Sequence, residues 1–247
     1  MSGRGELRVS ADPEALGRAA AELFAKVVRT AVDRQGRCSV LLAGGATPRR
    51  TYQLLAVEPW ASGIPWPQVH FFWGDERCLP VGDPQRNETM ARLALIDRVD
   101  VARGQVHPID CAGSPEAAAT SYAAQIATFF HDQPPCFDLA LLGLGDDGHI
   151  ASLLPGSAAL AEARQWTAVA RRPEEAFFRV TLTAPLLNQA RLVVFLVSGS
   201  SKARVLRAAL TGADPALPVH LIRPAGELLW LVDRDAAALL GTSHASE

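Results

Sequence analysis

Asp147 and His149 stand two residues apart in the turn Gly145-Asp146-Asp147-Gly148-His149, a carboxylate and an imidazole within easy reach of each other. An isolated turn histidine is usually structural, but an adjacent carboxylate orients the ring and stabilises its protonated form. That is what a general base acting on water needs. The same pair has the makings of a metal site, yet no third ligand follows at a recognisable spacing, so no metal is expected. No serine lies in a G-x-S-x-G elbow, which argues against a serine nucleophile. Three further segments carry polar residues suited to an anion: Gly44-Gly45-Ala46-Thr47, Asp75-Glu76-Arg77 and Ser198-Gly199-Ser200-Ser201-Lys202. Arg77 also has a plain reading as a surface partner of Asp75 or Glu76.

Each of these segments follows an apolar run. Phe137 to Leu142 is the clearest, a continuous run bounded by turn signals, as expected of a strand covered on both faces. Ser39–Ala43, Val69–Trp73, Arg179–Thr183, Arg191–Val197 and Leu228–Val232 read as further strands. Between them lie helix signals: Asp12-Pro13 opens a helix that stops near Gly36, Ser114-Pro115 opens an alanine-rich one, and Thr47-Pro48 repeats the cap-plus-proline pattern just beyond a glycine turn. Repeated alternation of strand and helix predicts an α/β fold with a single doubly wound, mainly parallel sheet over residues 1–247. Such a sheet gathers the strand ends on one rim, where ligands bind. Backbone N–H groups at the Thr47-Pro48 helix start, with the helix dipole behind them, form a cradle for phosphate.

Composition narrows the function. The 247 residues are 49% apolar and 20% charged, ordinary for a globular protein, and the net charge of −2 with scattered arginines lacks the basic stripe of a nucleic-acid binder. No signal-peptide core or membrane-length apolar run is present, and Cys38, Cys78, Cys111 and Cys136 are widely spaced, which reads as reduced thiols in a cytoplasmic protein. A small-molecule partner is expected, with no nucleic acid, no membrane and no obligate protein partner.

Together the segments resemble the 6-phosphogluconolactonase family. Gly44-Gly45-Ala46-Thr47-Pro48 is similar to its Gly-Gly-Ser-Thr-Pro turn, and Asp75-Glu76-Arg77 with Pro80 and Asn87 to its Asp-Glu-Arg loop. Asp147-Gly148-His149, continuing through Ala151-Ser152-Leu153 to Pro155-Gly156, looks like its catalytic loop, and Arg179-Val180-Thr181-Leu182 and Gly199-Ser200-Ser201-Lys202-Ala203 complete the order. The resemblance implies a Rossmann-like fold and hydrolysis of 6-phosphogluconolactone, a sugar-phosphate lactone, to 6-phosphogluconate in the oxidative pentose phosphate pathway, without a cofactor. His149 would activate water, Asp147 would orient it, and Asp75 would hold sugar hydroxyls or share in positioning His149. Gly44, Gly45, Thr47, Arg77, Asn87, Arg179 and Lys202 would take the substrate and its phosphate. Two positions depart from the pattern: Ile150 replaces threonine, and Arg86 replaces serine. Ile150 is instead similar to the aminosugar-phosphate deaminases, but these carry a glutamate where this chain has Leu154, so their Asp-His-Glu relay cannot form. The alternatives are that isomerase/deaminase activity, or a non-catalytic sugar-phosphate sensor.

Overall fold

The apolar runs of the sequence pair side by side into one parallel sheet. The structure, a computed structural model, describes residues 5–131 and 133–241. In chain order its strands are β1 (Glu6–Ser10), β2 (Cys38–Leu42), β3 (Val69–Trp73), β4 (Asp75–Arg77), β5 (Leu139–Leu142), β6 (Thr167–Ala170), β7 (Arg179–Leu182), β8 (Leu192–Val197) and β9 (Glu227–Asp233). The helices are α1 (Pro13–Gln35), α2 (Ala46–Leu55), α3 (Trp60–Gly63), α4 (Asn87–Ala94), α5 (Pro115–Phe129), α6 (Ala184–Leu187), α7 (Ala203–Thr211) and α8 (Arg234–Ala237).

Six strands form the main sheet in the order β1-β9-β8-β5-β2-β3, every neighbouring pair parallel. All residues of β2 and β5 are buried, which explains their unbroken apolar character. From β2 the chain steps to β3 at one edge, then returns to place β5 on the other side of β2. That reversal opens a crevice beyond the carboxyl ends of β2 and β5, where open α/β sheets bind ligands. A second, antiparallel sheet of order β4-β7-β6 stands beside it. Thus Asp75-Glu76-Arg77 is not a turn closing β3 but a strand of this small sheet. Neither β1 nor β6 was legible as a strand: β1 is a largely exposed edge with two charges in five residues, and β6 takes its partner from β7 alone.

Helix caps follow local chemistry. Asp12 accepts from the Ala15 N–H at 2.7 Å, and Ser114 Oγ accepts from the Ala117 N–H at 3.1 Å. The expected Thr47-Pro48 cap is displaced: α2 starts at Ala46, with Gly45 as N-cap at φ 104° and no side chain capping its N–H groups. The chain has two tyrosines, and each braces a strand end. Buried Tyr52 Oη accepts from the Ala43 N–H and donates to the Ala43 carbonyl, and Tyr122 Oη does the same at Trp73. These residues lie where the ladders of β2 and β3 run out, and a buried backbone group left unpaired costs roughly 1–3 kcal/mol.

The cysteine expectation needs correction. Cys78 and Cys111 form a disulfide across 33 residues, with Cα atoms 5.1 Å apart, while Cys38 and Cys136 are free. Sequence spacing concealed this because the segment from Val106 runs beside β3 and parallel to it, where the His107 N–H donates to the Phe71 carbonyl. Burial raises the Cys38 thiol well above its ordinary value, so it stays protonated within β2.

His70 Nδ1 and His107 Nε2 lie 3.1 Å apart, with the His107 ring stacked on Phe72. Burial lowers both rings, His107 to about 4 with help from His70, and His70 with help from Arg37. The unfolded chain binds these protons near pH 6.5, so the pair's stabilisation is complete above that value and is lost as pH falls below it, for His107 toward about 4. Thermal unfolding measured from about pH 7 to 5 should therefore show a falling Tm that His107→Gln flattens; an equally steep fall in the variant would refute this assignment.

Candidate functional site

A cavity of about 330 Å³ opens at the reversal point between β2 and β5. Gly44, Gly45, Thr47, Asp75, Arg77, Asn87, His149, Arg179 and Lys202 all line it. Of the candidate residues only Asp147 does not, because it stands beside the His149 ring. Its Oδ1 lies 2.5 Å from His149 Nδ1 and accepts the His149 backbone N–H at 3.1 Å. Burial works against an ionised Asp147, but the hydrogen bonds from the His149 ring and backbone, aided by the charges of His149 and Arg172, hold its carboxyl down at about 2. It is an anion at any ordinary pH.

The turn around this pair is shaped by close approach. A Cβ on Gly145 would fall 1.8 Å from His149 Nδ1 and 2.7 Å from Asp147 Oδ1, so only glycine leaves room for the ring. Gly148 has φ +77° and would press a Cβ onto Leu217. Ala151, which also lines the cavity, lies in the left-handed region at φ 47°, a local strain of the kind found at functional loops.

Asp75 is nearly buried, and its bonds go to scaffold groups. It accepts from Ser152 Oγ at 2.5 Å and from Asn87 Nδ2 at 3.2 Å, and it lies 3.9 Å from Arg179. Asp75 thereby ties β4 to the loop after His149. Glu76 is fully buried and accepts backbone N–H bonds from Arg77, Asn87 and Glu88, each at 2.8 Å, which fixes the start of α4 and so the position of Asn87. Burial pushes its carboxyl up to about 7, against the pull of those N–H groups and Arg86. Arg86 itself is buried, donates to Glu88 and to the Leu79 and Ile109 carbonyls, and stands 3.7 Å from Glu76. Its departure from the usual serine is thus a brace behind the cavity.

The cations are held by internal partners. The Arg77 guanidinium donates to the Gln85 carbonyl rather than pairing with the Asp75 or Glu76 carboxylate, and its buried Nε has no partner. Arg179 pairs with Glu175, and Lys202 Nζ lies 2.7 Å from Asp146. Arg77 and Arg179 are directly opposed across β4 and β7. Like charges in that register repel, and an anion between them would relieve it. Asp233, fully buried, accepts from Ser198 Oγ and the Gly199 N–H and caps α8, so it holds the loop that leads to Lys202. Neither Asp233 nor Arg172, which reaches the His149–Asp147 pair from the β6–β7 connection, belonged to any motif. Among the described residues no cluster of three or more His, Cys, Asp or Glu forms a metal site. None of the described helices is long and apolar enough to cross a membrane.

Residues 11–230 match the model of the glucosamine-6-phosphate isomerase/6-phosphogluconolactonase family. The chain belongs to that family. It is 42% identical over 215 residues to a 6-phosphogluconolactonase of Synechocystis sp., covering 85% of this chain and 87% of the relative. A Nostoc sp. protein of the same name is 38% identical over 95% of this chain and 98% of its own length. Among solved structures, 6-phosphogluconolactonase from Trypanosoma brucei superposes with a TM-score of 0.84 at 29% identity, over 97% of this chain and all of that one. Ile150 and Leu154, the positions that bear on the deaminase alternative, are both buried in the core. Neither lines the cavity.

The steric role of Gly145 is open to direct test. A crystal structure of Gly145→Ala should show the His149 ring swung away from Asp147 with the main sheet unmoved. A ring in its original place would refute the close-approach argument.

Proposed function

We propose that this chain is an enzyme that hydrolyses 6-phosphogluconolactone to 6-phosphogluconate in the oxidative pentose phosphate pathway, with His149 activating the attacking water. The observation that carries the reading is the convergence of His149, backed by an anionic Asp147, with two opposed arginines and a lysine around one cavity.

In this reading Asp147 holds the proton on His149 Nδ1, leaving Nε2 to take a proton from water as its oxygen bonds to the lactone carbonyl carbon. The carbonyl becomes an oxyanion, which a positioned cation of the cavity stabilises more strongly than bulk water would. Collapse breaks the bond to the ring oxygen, and His149 returns the proton to that oxygen as it leaves. One water is consumed, and the product acid ionises. The phosphate sits at the uncapped N-terminus of α2 beside Gly44, Gly45 and Thr47, with Arg77, Arg179 and Lys202 neutralising its charge. Asp75 serves from behind, fixing Asn87 and Ser152. With Leu154 in the core there is no glutamate for the deaminase relay.

The purified protein is expected to accelerate acid release from 6-phosphogluconolactone above its spontaneous opening and to release no ammonia from glucosamine 6-phosphate. His149→Ala should lose about 10²–10⁴ in kcat while staying folded. If both proteins match the uncatalysed rate the lactonase reading is wrong, and binding of both sugar phosphates without turnover would favour the sensor.

Phosphate recognition gives a separate outcome. Charge-assisted hydrogen bonds contribute roughly 1.5–3 kcal/mol each, so Lys202→Ala should lower kcat/KM for the phosphorylated lactone about tenfold or more. Unphosphorylated gluconolactone should be affected little. An equal loss on both substrates would remove Lys202 from the phosphate site.

A further inference from the structure

Arg179 lines the cavity, yet its charge already has an answer inside the protein. Its Nε donates to Glu175 Oε2 at 2.8 Å and its Nη2 donates to Glu175 Oε1, while Nη1 lies 3.9 Å from Asp75 Oδ2. A guanidinium takes a phosphate best through two parallel N–H groups on one edge, and here one edge is filled by Glu175 and the other has Asp75 beside it. Asp75 is tied to Ser152 and Asn87, so it is part of the frame. Glu175 is differently placed. It stands on the connection 171–178 between β6 and β7, which is neither helix nor strand.

The surroundings of Glu175 are those of a bound anion. Burial works against its charge, but the hydrogen bond from Arg179 and the charges of Arg179, Arg172 and Arg77 outweigh it and hold its carboxyl below the usual carboxylate range. Arg77 and Arg179 oppose each other across β4 and β7, and Glu175 supplies part of the negative charge which that register wants. Lys202 also carries a carboxylate, Asp146, but that side chain is 72% exposed and the pair opens at little cost. The Arg179 and Glu175 side chains are 9% and 18% exposed. Theirs is the pair whose opening a ligand must drive.

We propose, resting on the reading that the substrate phosphate lies among Arg77, Arg179 and Lys202, that Glu175 is the cavity's internal competitor for that phosphate: its carboxylate occupies Arg179 in the empty protein and leaves when the phosphate arrives. Only molecules with Arg179 released bind phosphate at full strength, so the apparent affinity falls by the fraction released. Substrate and product carry the same phosphate, and both are weakened alike. Loss of such uniform binding raises KM without lowering kcat, and it clears the product from the site.

The test titrates inorganic phosphate calorimetrically into the unsubstituted protein, into Glu175→Gln, and into Arg179→Gln with and without Glu175→Gln. Glu175→Gln should bind phosphate about tenfold more tightly and lower KM for 6-phosphogluconolactone by a similar factor, with kcat moving far less. In the Arg179→Gln background the same substitution should change phosphate affinity by less than about twofold. Equal or weaker phosphate binding by Glu175→Gln would overturn the proposal and make Glu175 a brace for Arg179, as would absence of phosphate binding by every protein. A crystal structure of the unsubstituted protein with inorganic phosphate needs no variant. Glu175 should stand off Arg179, with phosphate oxygens on Nε and Nη2; phosphate bound beside an intact Glu175–Arg179 pair would also overturn it. Tighter phosphate binding by Glu175→Gln, with no turnover of the lactone by the unsubstituted protein, would uphold the competitor and sink the lactonase reading.

Discussion

Where parallel strands end inside a protein, their backbone donors and acceptors must find partners, and the rest of this molecule is arranged around that requirement. At the carboxyl rim of β2 and β3 the partners are the two tyrosine hydroxyls, each both accepting from and donating to one residue. Beyond the end of β8 the partner is buried Asp233, the last residue of β9, which accepts from the Gly199 N–H and from the first turn of α8. At the opposite rim Asp138 accepts from the Ser39 N–H and hydroxyl and pairs with Arg34. With these groups satisfied, the uncapped start of α2 remains as backbone polarity open toward the cavity. A ligand bearing negative charge suits that opening.

The cavity concentrates positive charge that the protein then restrains. Arg77 and Arg179 face each other across two strands, an arrangement that costs stability unless something lies between or beside them. Glu175, Asp146 and the Gln85 carbonyl hold the three cations in place from the side. The Lys202–Asp146 pair, whose carboxylate is exposed, contributes little stability and is easily exchanged for the charge of a ligand. Behind them the arrangement is stiffer: Glu76, Arg86 and the Cys78–Cys111 disulfide bind the loop after β4 to α4 and to the chain running along β3. Preorganisation of this kind lets charges act on a substrate without first moving into place.

The turn around His149 is shaped by steric fit. Gly145 is required by the ring of His149, and Gly148 by Leu217. Ile150 and Leu154 turn away from the cavity into the core. A glutamate at Leu154 would need both a route to the cavity and a partner for its charge.

Much of the site was legible because it lies at strand ends, where an apolar run gives way to glycine and charge: the alternation of strands and helices determined that Gly45, Arg77, His149 and Lys202 would meet on one rim. Local rules also determined the caps at Asp12 and Ser114. What the chain order could not determine was pairing across it. The small antiparallel sheet that opposes Arg77 to Arg179, the burial of Arg86 between Glu76 and Glu88, the Cys78–Cys111 disulfide and the reach of Arg172 to Asp147 all join segments distant in sequence. Periodicity and turn chemistry act over a few residues, whereas these partners are chosen by how the sheet and its connections pack, so only the tertiary structure decided them.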